Sequence, residues 1–203
     1  MTEPILWIAT ANPSKVLEFK ILFPEYEIKT LLDIPEYEDI IEDGATFQEN
    51  AMIKAKDLAL HVKGIAIGDD SGLSVDCLDG FPGIHSKRWA EPLTDFIEIS
   101  QALLLRMQEY QDMKLRTARM STAIAFYDAI SQVEKVIYCE VNGRIAKEIL
   151  GEKDKGFGYD HIFIPDPFTL TYAQMGLTTK NKNSSRQKAV DEFKEFIKNY
   201  KGE

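Results

Sequence analysis

Three groups of residues in this chain have types and spacings suited to chemistry. The first is a carboxylate pair. Gly64-Ile65-Ala66-Ile67-Gly68-Asp69-Asp70-Ser71-Gly72 is an apolar run ending in two acids, a hydroxyl and a glycine. It reads as a buried strand delivering Asp69 and Asp70 to a sheet rim, where Gly72 lets the chain turn. Adjacent acids repel unless a cation lies beside them, so the rim is a candidate Mg2+ site. A strand followed by an ordinary Asp-Ser-Gly turn fits the same residues. The second group is cationic. Thr10-Ala11-Asn12-Pro13-Ser14-Lys15 follows an apolar run and places Pro13 in the first turn of a helix, leaving free backbone N–H groups suited to phosphate. Lys15 adds a movable positive charge. The loop lacks the glycines and GK[ST] ending of a Walker A loop, and an ordinary capped connection with an exposed lysine is the plainer alternative. Near the end, Lys180-Asn181-Lys182-Asn183-Ser184-Ser185-Arg186-Gln187 reads as a basic loop running into a helix, with Ser184 and Gln187 at capping-box spacing. That is a second local anion site. The third group lies in the Gly-rich connection from Gly151 to Asp160, which ends Gly156-Phe157-Gly158-Tyr159-Asp160. Its glycines allow close approach to a flat ligand, with Phe157 or Tyr159 as stacking surface and Asp160 as polar reader. A tight turn accounts for it equally well.

These groups need elements to carry them. Ile5-Leu6-Trp7-Ile8-Ala9 is a strand buried on both faces, and a helix follows from Pro13 to near Pro24. Tyr26 to Leu31 reads as a second strand. An acidic stretch from Asp33 to Asp43, including Glu36, Glu38, Asp39 and Glu42, is mostly solvated surface. Thr46-Phe47-Gln48-Glu49 has capping-box spacing, and Ala51, Ala55, Leu58, Ala59 and Val62 set a helix over 46–62. Glu42 stands just before its start, and Lys54 is expected on a different face from the apolar stripe. Leu78 to Gly83 is turn-rich. His85-Ser86-Lys87-Arg88-Trp89-Ala90 sets a basic pair beside an aromatic, for stacking or as a snorkelling surface pair. Thr94 is expected to cap an amphipathic helix reaching Gln111. Arg116–Asp128 and Val133–Val141 read as an antiparallel hairpin, with Gly143 ending the second strand. Ile162-Phe163-Ile164-Pro165 follows the Gly-rich connection, and Ala189, Val190, Phe193, Phe196, Ile197 and Tyr200 form the stripe of a last helix.

The chain's 203 residues suit one domain, or one domain with two lobes. Hydrophobic residues at 44% and charged residues at 28% are ordinary for a soluble globular protein. Lys+Arg 24 against Asp+Glu 33 gives a net charge of -9, which argues against nucleic-acid and membrane partners and makes any anion site local. Cys77 and Cys139 form no CxxC pair and read as small core hydrophobes. His61, His85 and His161 have no metal-ligand spacing. No apolar run reaches the ~20 residues of a membrane span, and no basic-flanked signal peptide leads the chain, so it is expected in the cytoplasm.

Carboxylates for Mg2+, lysines for phosphates and an aromatic platform for a base are the parts of a nucleoside triphosphate site. The blocks TANPSK (10–15), FQENAMIKA (47–55), GDDSGLSVD (68–76), PGIHSKRWA (82–90), GFGYD (156–160) and KNKNSSRQKA (180–189) together resemble the inosine triphosphate pyrophosphatase family. Its members hydrolyse non-standard purine nucleoside triphosphates such as ITP, dITP and XTP to the monophosphate and pyrophosphate. The resemblance implies an α/β fold: an elongated mixed β-sheet flanked by helices, two lobes with a central active-site cleft, one domain over 1–203, commonly a homodimer. It also implies roles. Thr10, Asn12, Lys15 and Lys54 would contact phosphates, Glu42 and Asp70 would hold Mg2+, and Asp70 would activate the attacking water with Ser71 close by. Phe157, Gly158, Tyr159 and Asp160 would enclose the base, with Lys180, Ser185 and Arg186 completing the pocket. Three positions depart from the family pattern: Ser185 stands where a histidine is usual, His161 where a proline is usual, and Gly68 where an alanine is usual. Loss of the imidazole bears on base selectivity more than on phosphate chemistry, and His161 is a candidate for part of that contact. The alternatives are a pyrophosphatase with shifted base preference and a nucleotide-binding protein with impaired catalysis.

Overall fold

The computed structural model describes residues 4–38, 40–154 and 156–200. Asp39 of the acidic stretch and Lys155 of the Gly-rich connection lie outside the described residues. The chain forms two compact units: one of residues up to Asp70, Thr122–Tyr138 and from Lys188 onward, the other of Ser71–Ser121 and Cys139–Gln187.

In the first unit, β1 (Ile5–Ala9) pairs in parallel with β2 (Glu27–Thr30) and with β3 (Ile65–Val75), Ile8 standing opposite Thr30 on one side and Ile67 on the other. Parallel neighbours require crossover connections, and α1 (Pro13–Leu22) and α2 (Phe47–Val62) supply them. Each begins with a cap. The Asn12 side chain accepts from the Ser14 and Lys15 N–H groups at 3.0 and 3.4 Å, and Thr46 Oγ1 accepts from Glu49 N–H at 3.1 Å, satisfying donors that have no partner within the helix. Helix α2 lies directly on β3: a Cβ at Gly68 would stand 1.9 Å from the Ala51 carbonyl oxygen and 2.8 Å from the Ala55 nitrogen. Glycine on the strand and alanines on the helix let the two backbones meet. The last helix, α6 (Ser185–Asn199), adds Phe193, which meets Phe23 edge-on at 5.8 Å, and Phe196, which meets Phe126 at 5.1 Å.

The second unit holds the outer part of β3, β4 (Phe81–Pro82) antiparallel to it, α3 (Phe96–Arg106), and parts of β5 (Thr117–Asp128) and β6 (Glu134–Ile145). It also holds β7 (Phe163–Pro165), α4 (Tyr172–Met175) and α5 (Leu177–Asn183). Leu73, Ile99, Leu103, Met107, Ile145, Phe163 and Tyr172 form its core. Arg116 is buried and has no carboxylate for a partner among the described residues. Its guanidinium donates to the carbonyls of Met107, Tyr110, Ile145 and Ala146 at 3.1, 3.0, 2.9 and 2.7 Å, joining the end of α3 to the end of β6. Among the described residues the strands bond in the order β2-β1-β3-β5-β6-β7, with β4 on β3. The expected mixed α/β architecture is borne out. No helix among the described residues is long and apolar enough to cross a membrane.

Several local expectations are corrected. β3 does not end at the acids: it continues to Val75, because Leu73 and Val75 bury as fully as Ile67 and carry the strand past Gly72. Asp95, not Thr94, caps α3, which closes at Arg106. β6 passes Gly143 and pairs with β7 as far as Ile145. The supposed basic loop at 180–183 is the end of α5, and only Ser184 interrupts the helices. Lys54 lies on the buried stripe of α2 with Ala51, Ala55 and Leu58, since steps of three and four residues share a helix face.

Candidate active site

The first unit gathers the carboxylates and two of the lysines. Side chains alternate across a strand, so Asp69 and Asp70 leave β3 in opposite directions and do not face one another. Asp69 meets Lys15 of α1 at 2.5 Å. Asp70 follows the Gly68 direction toward α2, where Lys54 Nζ lies 3.1 Å from its Oδ1 and 3.5 Å from Glu42 Oε2. One ammonium thus links the two acids expected to hold Mg2+. Burial pushes the Asp70 carboxyl above the ordinary carboxylate range, against the pull of Lys54 and Lys15, and Glu42 adds to the rise. Asp70 Oδ2 is buried with no hydrogen-bond partner.

Among the described residues no group of three or more His, Cys, Asp or Glu gathers as a metal cage. Mg2+ needs none, because it is usually held by one or two carboxylates together with waters and substrate phosphates. The hard oxygen donors of Glu42 and Asp70, with the unpartnered Asp70 Oδ2, fit such an ion. Beside them the α1 start is preformed: Thr10 Oγ1 accepts from Asn12 N–H at 3.1 Å, and Asn12 caps the helix that carries Lys15.

The second unit gathers the aromatics and the other cations. Asp160, nearly inaccessible, accepts from the Phe157 N–H at 2.7 Å and pairs with Lys180 Nζ at 2.7 Å. It therefore closes the loop and neutralises a buried lysine. Tyr159 is also internal. Its hydroxyl donates to the Ser86 carbonyl and accepts from Trp89 Nε1, both at 2.7 Å, and burial raises its pKa. Phe157 is half-buried and braced by Phe96 at 5.5 Å. Arg186 donates to Ser71 Oγ at 2.8 Å; Ser185 and Gly158 are buried. His161 is buried too, its Nδ1 3.0 Å from the Leu150 carbonyl, so that nitrogen already serves the fold.

Sequence reading missed the Ser86–Tyr159–Trp89 chain of hydrogen bonds, because no local pattern links residues 70 positions apart. The aromatic of the 85–90 segment serves Arg106, 4.8 Å above the Trp89 ring, instead of the basic pair beside it. Asn50 was also missed. Its signal was available, since a polar residue on the inner stripe of α2 needs a reason.

The chain is thus a mixed α/β protein with a lysine-bridged carboxylate pair at one of its strands and a braced aromatic loop. The chain belongs to the Ham1 family, whose pattern it matches over residues 6–196. It is 39% identical over 195 residues to the dITP/XTP pyrophosphatase of Oceanobacillus iheyensis, covering 94% of this chain and 96% of that one. It is 41% identical over 192 residues to that of Geobacillus kaustophilus, covering 93% and 91%. The solved Staphylococcus aureus Ham1 protein superposes with a TM-score of 0.85 at 33% identity, covering 97% of this chain and 100% of that one. The resemblance drawn from the six sequence blocks is thereby borne out.

Proposed function

We propose that this protein hydrolyses non-standard purine nucleoside triphosphates, of the ITP, dITP and XTP kind, to the monophosphate and pyrophosphate, with Mg2+ as cofactor. The observation that carries the reading is the bridge from Lys54 to Glu42 and Asp70, with one Asp70 oxygen buried and unpartnered. The printed activity of the relatives supports the substrate class. In this reading Glu42 and Asp70 hold the ion, which when bound lowers the cost of charge building up on the phosphate oxygens. Asp70 orients the attacking water and accepts its proton. Thr10, Asn12, Lys15 and Lys54 bind the phosphates, the lysines absorbing charge on the pyrophosphate leaving group. Phe157 stacks on the base, while Gly158, Tyr159, Asp160, Lys180, Ser185, Arg186 and Ser71 shape and close its surroundings. The chain acts as one functional domain, as a homodimer in the cytoplasm, with neither nucleic acid nor membrane as partner.

Pyrophosphate release from ITP, XTP, dITP, ATP and GTP, with and without Mg2+, tests the proposal. Release from the first three that needs Mg2+ is expected. Release favouring ATP or GTP would assign a shifted base preference. ITP binding by calorimetry with no release would make the chain a binding protein.

A further inference from the structure

We propose that Asn50 is a positioning residue for Glu42, seating the backbone just downstream so that the Glu42 carboxylate is presented to a divalent cation; the inference rests on the metal role proposed above. Asn50 is fully buried on the inner stripe of α2, one turn before Lys54. Its Oδ1 accepts from the Gly44 N–H at 2.9 Å. Beside it Glu49 Oε2 accepts from the Ala45 N–H at 2.6 Å. The first turn of α2 therefore holds two successive amides of the segment that carries Glu42. The contact is close enough to exclude a side chain: a Cβ at Gly44 would stand 2.7 Å from Asn50 Oδ1 and 2.8 Å from Glu49 Cβ.

Two further observations separate positioning from plain stabilisation. The Asn50 amide leaves its Nδ2 buried without a partner, and an orphaned buried donor costs about 1–3 kcal/mol. An apolar side chain would remove that cost but would leave the Gly44 N–H without its acceptor. Second, the ion pair from Lys54 to Glu42, at 3.5 Å, is a long contact to a partly exposed carboxylate and holds a loop weakly. The Gly44 seat supplies the constraint that the ion pair lacks. Asn50 and Lys54, four residues apart on one face, then share the work: one fixes the backbone beside Glu42, the other its charge.

The test uses Asn50→Ala, Gly44→Ala and the double variant of the full chain. Mn2+ affinity of the free protein is read from the electron paramagnetic resonance of unbound Mn2+, and the Mg2+ concentration for half-maximal pyrophosphate release is read from turnover. Each single variant is expected to weaken Mn2+ binding and raise the Mg2+ requirement about tenfold, the scale of an outer-shell partner. KM for ITP at saturating Mg2+ should change by less than about twofold. Because both substitutions disturb one seat, the loss in the double variant should fall short of the product of the two single losses. Mn2+ affinity within about twofold of the parent in Asn50→Ala, or effects that multiply in the double variant, would overturn the proposal. Should Asn50→Ala fail to fold, Gly44→Ala carries the same two readouts. Absence of turnover in the parent protein would count against the proposed function, and the Mn2+ titration would still decide the role of Asn50.

Discussion

The two units solve the same problem, holding polar groups in a fixed place, by different means. The first uses charge against charge on packed backbone: Lys15 on Asp69, Lys54 on Asp70 and Glu42, carried by helices that begin with side-chain caps. The second uses rings and hydrogen bonds: Phe157 leans on Phe96, Tyr159 is held by Trp89 and Ser86, and Asp160 closes its own loop. Charge pairs of the first kind are suited to a ligand that brings its own charge and rearranges them. Ring contacts of the second kind suit a flat surface that must stay still.

That contrast can be broken by experiment, beginning where the effect is largest. Asp70→Asn keeps the shape and removes a charge, so it should leave the melting temperature close to that of the parent and lower turnover about 10^3-fold; a variant with parental rates in Mg2+ would remove Asp70 from the chemistry. Phe157→Ala should act on binding. Loss of one stacking surface predicts a KM for ITP raised about tenfold with kcat little changed. An equal fall in kcat at unchanged KM would contradict the division of labour.

The smallest expected effect concerns stability and acid. In the first unit Asp128 is buried, which opposes its charge, but hydrogen bonds from Tyr200, the Ile130 N–H and Ser131 outweigh this and hold its carboxyl below the usual range. A depressed carboxylate stabilises the fold fully above its unfolded pKa. The contribution fades as pH falls through the ordinary carboxylate range and is gone below the folded value. Asp128→Asn should therefore flatten the acid side of the stability curve while leaving ITP turnover at neutral pH unchanged, and thermal melts between about pH 3 and pH 7 read it directly.

Much of this architecture was legible in the residues. Apolar runs marked β1 and the start of β3, Pro13 and Thr46 marked helix starts, and the β-branched stretches around 129–132 marked the hairpin, because these signals are local. Other features were hidden for physical reasons. Lys54 was put on the wrong face because a lysine is expected to seek water, whereas here two carboxylates from other segments repay its burial. The end of β3 was misread because Asp, Ser and Gly favour turns, and only tertiary partners such as Ser86, whose Oγ accepts from the Leu73 N–H at 2.8 Å, keep the strand straight. Phe157 and Tyr159 stood as equal candidates for a stacking surface because the two partners that engage the Tyr159 hydroxyl come from distant sequence.

Gly68 carries one more consequence. Because a strand turns over with every residue, sliding β3 by a single place would trade Asp69 for Asp70 and hand each lysine the other's acid. Only a residue without a side chain passes under Ala51 and Ala55, so neither Ile67 nor Asp69 can occupy that spot. The bare backbone there works as a key: it admits one alignment of the strand and thereby decides which of two identical side chains meets Lys54.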